Sequence, residues 1–500
     1  MRTKPVAVLV VLLIASVAGG AAAGEPKTAL TGVNVVDVER GTVQRGVTIL
    51  VDGNRIADVG RPDVPEGANV IDASGKYVIP GLWDMHVHLV HGDWNVADLL
   101  VAHGVTSVRD MWGSPSLAAE LSAARADHRW PRIVMGGNLV DGTRVFAPKA
   151  TLAETPEEGR AVVDALAAAG APFVKVYDSL APDVYDAILA RAAERGLPVV
   201  GHVPMQVGAG HAADAGQRSI EHAFGVLPSC STEEESLHAG GAEMLKLLAA
   251  QDMPGALATW MGGLRRMLAT QDDARCRALA RRLASKGTWV VPTLVALRGN
   301  WMRTDEEFRS DPRLRWIPPD LRTSWLPENG VPSRFFKPED WQAGQAMYRR
   351  AIEVVGLLNQ ASVPLLAGSD AVQPYVFPGS GLHDELELLV EAGLSPAQAI
   401  AAATTSPARF MERSADLGAV APGKLADLVV LDASPLDDIG NVRRIHGVIL
   451  DGAWLSRRDL DAILTATERR FAAPASPPAV HPGVRGPRGR TPRSAPRTLP

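Results

Sequence analysis

Residues 81–89 read GLWDMHVHL, and their texture, short and rich in Val and Ile, returns seven times. The repeats are VTSVRDM (105–111), PRIVMGGN (131–138), FVKVY (173–177), PVVGHV (198–203), SIEHA (219–223), WVVPTL (289–294) and PLLAGSD (364–370). Between them lie Ala-, Leu- and Arg-rich stretches of helical character, such as PEEGRAVVDALAAAG, APDVYDAILARAAERG and DDARCRALARRLASKG. Eight strands separated by helices over roughly 290 residues predict an α/β fold of the (β/α)8, TIM-like barrel type. An open doubly wound sheet is the competitor, but no glycine-rich phosphate loop follows the first strand. The connection 295–345, rich in Trp, Pro and charge, is too long for a turn, and such loops on a barrel usually cover the active site.

Outward from the barrel the rhythm changes. Ala29–Val70 alternates in β-branched bursts with a hairpin signal, Asp-Gly, at 52–53. LADLVVLD (425–432) and RIHGVILDGAWL (444–455) repeat that texture at the far end. One small β-sandwich built from both ends is expected, with parts at 27–77 and 405–457 flanking a barrel at 78–404. Residues 1–23, with Arg2 and Lys4 before the apolar run Val6–Val17 and then small residues, read as a secretory signal. The run is short of the ~20 residues a membrane span needs. The expected location is therefore outside the cytoplasm, periplasmic or extracellular, with no stable membrane span after cleavage. Residues 474–500, rich in Pro and Arg, cannot bury enough apolar surface to offset chain entropy and read as a disordered tail.

The 500 residues are 46% hydrophobic and 21% charged, an ordinary globular balance that excludes a collagen, a coiled coil or a mostly disordered chain. The net charge is −5, but the two tails carry seven basic residues and no acid, so the body is more acidic still and a nucleic-acid groove is not expected. Two cysteines, Cys230 and Cys276, support neither a disulfide framework nor a thiolate metal site. Any metal must then sit on nitrogen and oxygen. His86 and His88 lie two apart in one strand and so share a face. Lys175, His202, His222 and Asp370 each fall at or near the C-terminal end of a strand, where barrels place active sites. Four imidazoles, one carboxylate and one lysine on one rim point to a metal centre, where a lone histidine would point only to packing.

These motifs, PGLWDMHVHL, VKVY, GHVP, SIEHAFG, GSDA and PGKLADLVVLD, resemble the amidohydrolase superfamily from about Thr28 to Trp454. FPGSGLHDELELLVEAGLSPAQAIAAATTSPAR is similar to its imidazolonepropionase-like branch, which includes secreted Xaa-Pro dipeptidases. The resemblance implies two divalent ions, zinc by type. His86, His88 and Asp370 would hold one, His202 and His222 the other, and Lys175 would bridge them as a carbamate formed from carbon dioxide. It also implies hydrolysis by a metal-bridging hydroxide, with Asp370 as the proton shuttle. The substrate would be a small N-acyl amino acid or Xaa-Pro-type dipeptide, the partner no more than a second copy of the chain.

Deaminases of the superfamily carry H-x-x-E after the fifth strand, but here His202 is followed by Val203, Pro204, Met205 and Gln206, so the acid is missing. A lactonase or esterase on the same centre is the alternative, and an inactive barrel a remoter one. Tyr177, two past Lys175, is a candidate for binding substrate or packing the rim. Arg298 and Arg303 are candidates for pairing a substrate carboxylate. His383 is expected to cap a helix, and Arg109 to pair with an acid inside the barrel.

Overall fold

The computed structural model describes residues 27–89, 97–125, 129–143, 147–330 and 333–472. The expected signal, 1–23, and the expected tail, 474–500, lie outside the described residues. Five strands come first: β1 (Thr28–Asp37), β2 (Thr42–Asp52), β3 (Arg55–Gly60), β4 (Asn69–Asp72) and β5 (Tyr77–Pro80). Then follow β6 (Leu82–Val87), β7 (Val105–Asp110), β8 (Arg132–Met135), β9 (Val140–Asp141), β10 (Thr151–Leu152), β11 (Val174–Val176), β12 (Val199–Gly201), β13 (Ser219–Glu221) and β14 (Trp289–Val291). β15 (Leu428–Leu431), β16 (Ile445–Leu450) and β17 (Ala453–Ser456) come last.

Strands from both ends of the chain join one sheet in the order β17-β16-β15-β5-β1-β2-β3, with β4 added on β1. The expected sandwich is thus hydrogen-bonded as one sheet. Alternation explains its two apolar faces. Val78, Leu428 and Val430 point into the sheet's own core with Leu30 and Ile49. Their neighbours Ile79, Val429 and Leu431 point the other way and join the apolar core of the barrel.

The long middle is a TIM-like barrel whose strands run parallel, β6-β7-β8 in one ladder and β9-β11-β12-β13-β14 in another. Two of the eight expected strands differ from regular ladders. The third is broken between β8 and β9 at Gly136-Gly137, where a Cβ on Gly136 would lie 2.3 Å from the Phe173 ring. The eighth, 364–370, is a bridging segment. Leu366 donates to the Val290 carbonyl of β14 at 3.0 Å, and Ala367 and His86 carbonyls accept from Met85 at 2.9 Å and Asp370 at 2.7 Å. Gly368 lets this segment approach β6, since a Cβ there would meet His86 Cβ at 2.8 Å.

The helices stop where their residues dictate. Pro182–Arg195 starts on proline and ends at Gly196 with φ 67°. Asp272 caps Asp273–Lys286 through the amides of Ala274 (2.7 Å) and Arg275 (3.1 Å). The 295–345 connection is a helical insertion. Its Trp316, Ile317 and Trp325 pack with Tyr375 and Phe377, just beyond Asp370. A helix pair not foreseen, Glu234–Ala249 and Met253–Ala269, stands between β13 and β14. It returns the chain on itself, and Cys230 and Cys276, with Cα atoms 4.6 Å apart, are joined in a disulfide, contrary to the expectation from their number. Among the described residues no helix is long and apolar enough to cross a membrane.

Candidate metal centre

All six expected ligands converge on one rim. His86 closes β6 with His88 just beyond it, Lys175 lies in β11, His202 and His222 directly follow β12 and β13, and Asp370 ends the bridging segment. The His86 ring centroid lies 5.2 Å from His88 and 4.7 Å from His222, and His222 lies 4.6 Å from His202. Asp370 Oδ1 is 3.1 Å from His88 Nε2 and 3.6 Å from His86 Nε2. His86, His222 and Asp370 alone bring three ligand atoms within 4.8 Å of one another.

Backbone strain helps assemble the cluster. Strict alternation would send Glu221 and His222 to opposite sides of β13. His222 has φ 67°, which breaks the alternation, and both side chains reach His86. Asp370 is likewise left-handed at φ 61°. Such conformations cost about 1–3 kcal/mol each and persist where the surrounding structure enforces them.

The partners of the imidazoles decide which nitrogen is free. His86 Nδ1 donates to Glu221 Oε2 (2.9 Å), His202 Nδ1 to Asp178 Oδ1 (2.7 Å), and His222 Nδ1 lies 2.7 Å from Thr293 Oγ1. The two carboxylate bonds leave Nε2 of His86 and His202 with its lone pair, the arrangement by which proteins orient metal-bound histidines, and Thr293 holds the His222 ring at Nδ1. Burial, reinforced by the charge of Lys175, pushes His86 and His202 well below the usual imidazole range; burial likewise lowers His222 despite Asp370. The rings are therefore neutral ligands. His86 Nε2 and Lys175 Nζ are buried with no hydrogen-bond partner. Burial brings the Lys175 ammonium down to about 8. Asp178, the natural counter-ion for a snorkelling Lys175, is bonded to His202 instead. For Asp370 burial alone would raise the carboxyl, but the hydrogen bond from His88 and the basic groups around it hold it below the ordinary range.

Buried imidazoles beside an ionised carboxylate fit divalent zinc. The support beneath them was the part not foreseen. Arg109 does pair with an acid inside the barrel: it forks onto Glu221 at 2.8 and 2.9 Å and donates to the Met85 carbonyl at 2.7 Å. Glu221 in turn aims His86. The only signal for Glu221 was its place beside His222 in SIEHA. Asp178 and Thr293 carried no pattern beyond following a strand.

Tyr177 is at the site, its ring tilted against His202 with centroids 4.1 Å apart. Phe224 stacks on His222 at 5.0 Å, and Trp112 presents its edge to His88 at 6.5 Å. Three other candidates fall elsewhere. Arg298 is paired with Asp384 at 2.9 Å, within a cluster that also engages Arg313 and Arg443. Arg303 is buried, donating to the Trp325 carbonyl at 3.2 Å and lying over Trp341. Neither is placed to meet a substrate carboxylate. His383 caps nothing: Gly379 precedes the helix Ser380–Glu391, and His383 sits buried inside it, 2.8 Å from the His103 carbonyl.

Comparison with known proteins agrees with this geometry. Residues 345–455 match the Amidohydrolase family. The solved structure of a bottromycin amidohydrolase is similar over 89% of this chain and 90% of its own, at 27% identity and a TM-score of 0.70. A Xaa-Pro dipeptidase solved with methionine in its active site shares the fold, at 21% identity and a TM-score of 0.60, over 86% of this chain and all of its own. Among curated proteins, a dihydroorotase of Pelotomaculum thermopropionicum is 48% identical over 63 residues. That match spans 13% of this chain and only 14% of the relative's length. By its family match at 345–455, its fold and the strand-end position of its histidines, the chain is similar to the amidohydrolases.

Proposed function

We propose that the protein is a metal-dependent hydrolase that cleaves the C–N bond of a small N-acyl amino acid or Xaa-Pro-type dipeptide. The observation that carries this is the cluster of neutral, buried imidazoles around Asp370, with His86 Nε2 and Lys175 Nζ left without partners. His86, His88 and Asp370 would hold one divalent ion and His202 and His222 a second, with Lys175 between them as a carbamate. Bound there, the ions would acidify water and polarise the acyl oxygen. Asp370, kept ionised at neutral pH, takes the proton of the attacking water and returns it to the leaving nitrogen. Tyr177, Phe224 and Trp112 surround the histidines with aromatic surface, which supports a substrate with an apolar group beside the amide. The Cys230–Cys276 disulfide supports an exported enzyme, since such bonds persist in oxidising compartments.

The test is turnover. Zinc-loaded protein is incubated with Xaa-Pro dipeptides, other dipeptides and N-acyl amino acids, and free amine is scored by mass spectrometry. Release from a subset supports the amide reading. Silence from protein shown to carry its metals would move the assignment to lactones and esters.

A further inference from the structure

Thr293 stands at the N-terminal boundary of the helix Leu294–Trp301, in the left-handed region at φ 46°. A boundary threonine in the extended conformation turns its hydroxyl onto the first amides of its helix. This one does not. Its Oγ1 lies 2.7 Å from His222 Nδ1, and the helix has no cap from its own boundary residue. The amide left over is taken from another helix. Glu385, fully buried in Ser380–Glu391, accepts from the Val295 amide at 2.8 Å through Oε2, while the Leu294 amide bears on the same carboxyl. Its Oε1 has no partner.

A buried carboxyl with one unsatisfied oxygen is a costly way to cap a short helix. An extended Thr293 would have been a cheaper cap, and the left-handed backbone that carries its hydroxyl to His222 gives that cap up. The cost makes sense only if the Thr293 hydroxyl is needed elsewhere. The backbone of His222 is already fixed: its amide donates to the Val291 carbonyl at 2.7 Å, and that of Ala223 to Pro292 at 2.9 Å. What remains to be set is the rotation of the ring, and Thr293 Oγ1 contacts its Nδ1.

We propose that Glu385 is a positioning residue: it caps Leu294–Trp301 in place of Thr293, and so frees the Thr293 hydroxyl to hold His222 with Nε2 presented as a ligand. This rests on the metal-centre reading above. It also gives a role to Glu385 of the stretch LHDELELLVEAG, which the hydrolysis itself does not use.

The experiment reads metal binding, not turnover. Zinc affinity is measured on the full chain by competition with a chromophoric chelator, alongside the visible spectrum of the cobalt(II)-substituted protein. The variants are Glu385→Gln, Glu385→Asp, Thr293→Ser, Thr293→Val and the Glu385→Asp/Thr293→Val double. Glutamine keeps an acceptor at the same reach, and serine keeps the hydroxyl, so both stay within about twofold of the parent. Aspartate is one methylene too short and valine has no hydroxyl. Each weakens the more loosely held ion by about tenfold or more and shifts the cobalt spectrum. The double variant is no worse than the poorer single, because both break one chain of contacts.

A folded Glu385→Asp with parental affinity and spectrum overturns the proposal, and so does additivity in the double. Should Glu385→Asp fail to fold, Glu385→Gln and Thr293→Val decide: loss in the first or parental behaviour in the second overturns it. A parent chain that takes up no zinc overturns the metal centre itself, and this inference with it. A parent that binds zinc while the variants do not differ overturns the capping role alone.

Discussion

At the scale of single residues, under the proposed function, the site divides into groups that hold a metal and one group that moves a proton. Lys175 and the histidines hold, so Lys175→Ala should leave fewer than about two metals per chain, as read by elemental analysis after zinc and bicarbonate supplementation. Asp370 moves a proton. Asp370→Asn keeps the shape but not the basicity, and should retain much of the metal while turnover falls by about 10²-fold or more. Near-parental turnover in that variant would end its assignment as the shuttle. Glu385 makes a separate prediction through pH. Burial pushes its carboxyl up to about 8 from an ordinary 4.5. The folded chain then binds this proton more tightly than the unfolded one, so the stability it contributes is present at low pH. That contribution is lost as pH rises from about 4.5 through 8, each unit of difference being worth about 1.4 kcal/mol. Glu385→Gln has no such proton. The melting temperature of the metal-free variant, relative to the parent, should therefore climb between about pH 5 and pH 9. A flat difference would show that Glu385 is not held neutral.

At the scale of elements, glycines show how closely the rim is drawn together. Gly201 ends β12 with φ 132°, and a Cβ there would meet the Val176 carbonyl oxygen at 2.2 Å and Lys175 Cδ at 3.1 Å. Gly201→Ala should lower the melting temperature and zinc occupancy together, because β11 must shift and Lys175 rides on it. Gly170→Ala is the control: its φ is 74° but its Cβ would meet nothing within 4 Å. It should cost only the left-handed conformation, about 1–2 kcal/mol, with metal content unchanged. This contrast also shows what was legible in the sequence. His86, His88, Lys175, His202, His222 and Asp370 could be read because each terminates an apolar run, and the run fixes where the side chain emerges. Glu221, Asp178 and Thr293 could not, because their roles depend on which ring they meet from another strand. Arg298 and Arg303 misled for the same reason: their acceptors, Asp384 and the Trp325 carbonyl, are fixed only once the insertion has folded. The bridging segment 364–370 was legible as apolar, but its irregular backbone follows from Gly368 and the strained Asp370.

At the scale of the whole molecule, two long-range ties hold the pieces in place. The first is the Cys230–Cys276 bond, which closes a loop with a sequence separation of 46 around the Glu234–Ala269 helix pair. A loop of that length is worth about 4 kcal/mol in chain entropy. Reductant should therefore lower the melting temperature by several degrees, and Cys276→Ser should reproduce that shift without reductant. The second tie is the seam between β5 and β15, where Tyr77–Pro80 pairs antiparallel with Leu428–Leu431. The matching β texture of the two ends foretold one shared β domain, but not which strands would pair, since pairing partners are set by the segment that carries them to the same place. That seam has a consequence during synthesis. When β5 leaves the ribosome its partner is still some 350 residues away, roughly 20–70 s at the ordinary pace of about 5–20 residues per second. Throughout that interval the nascent chain carries an unpaired, Val- and Ile-rich strand edge, the kind of surface on which chains aggregate. In a protein so built the first strands wait on the last.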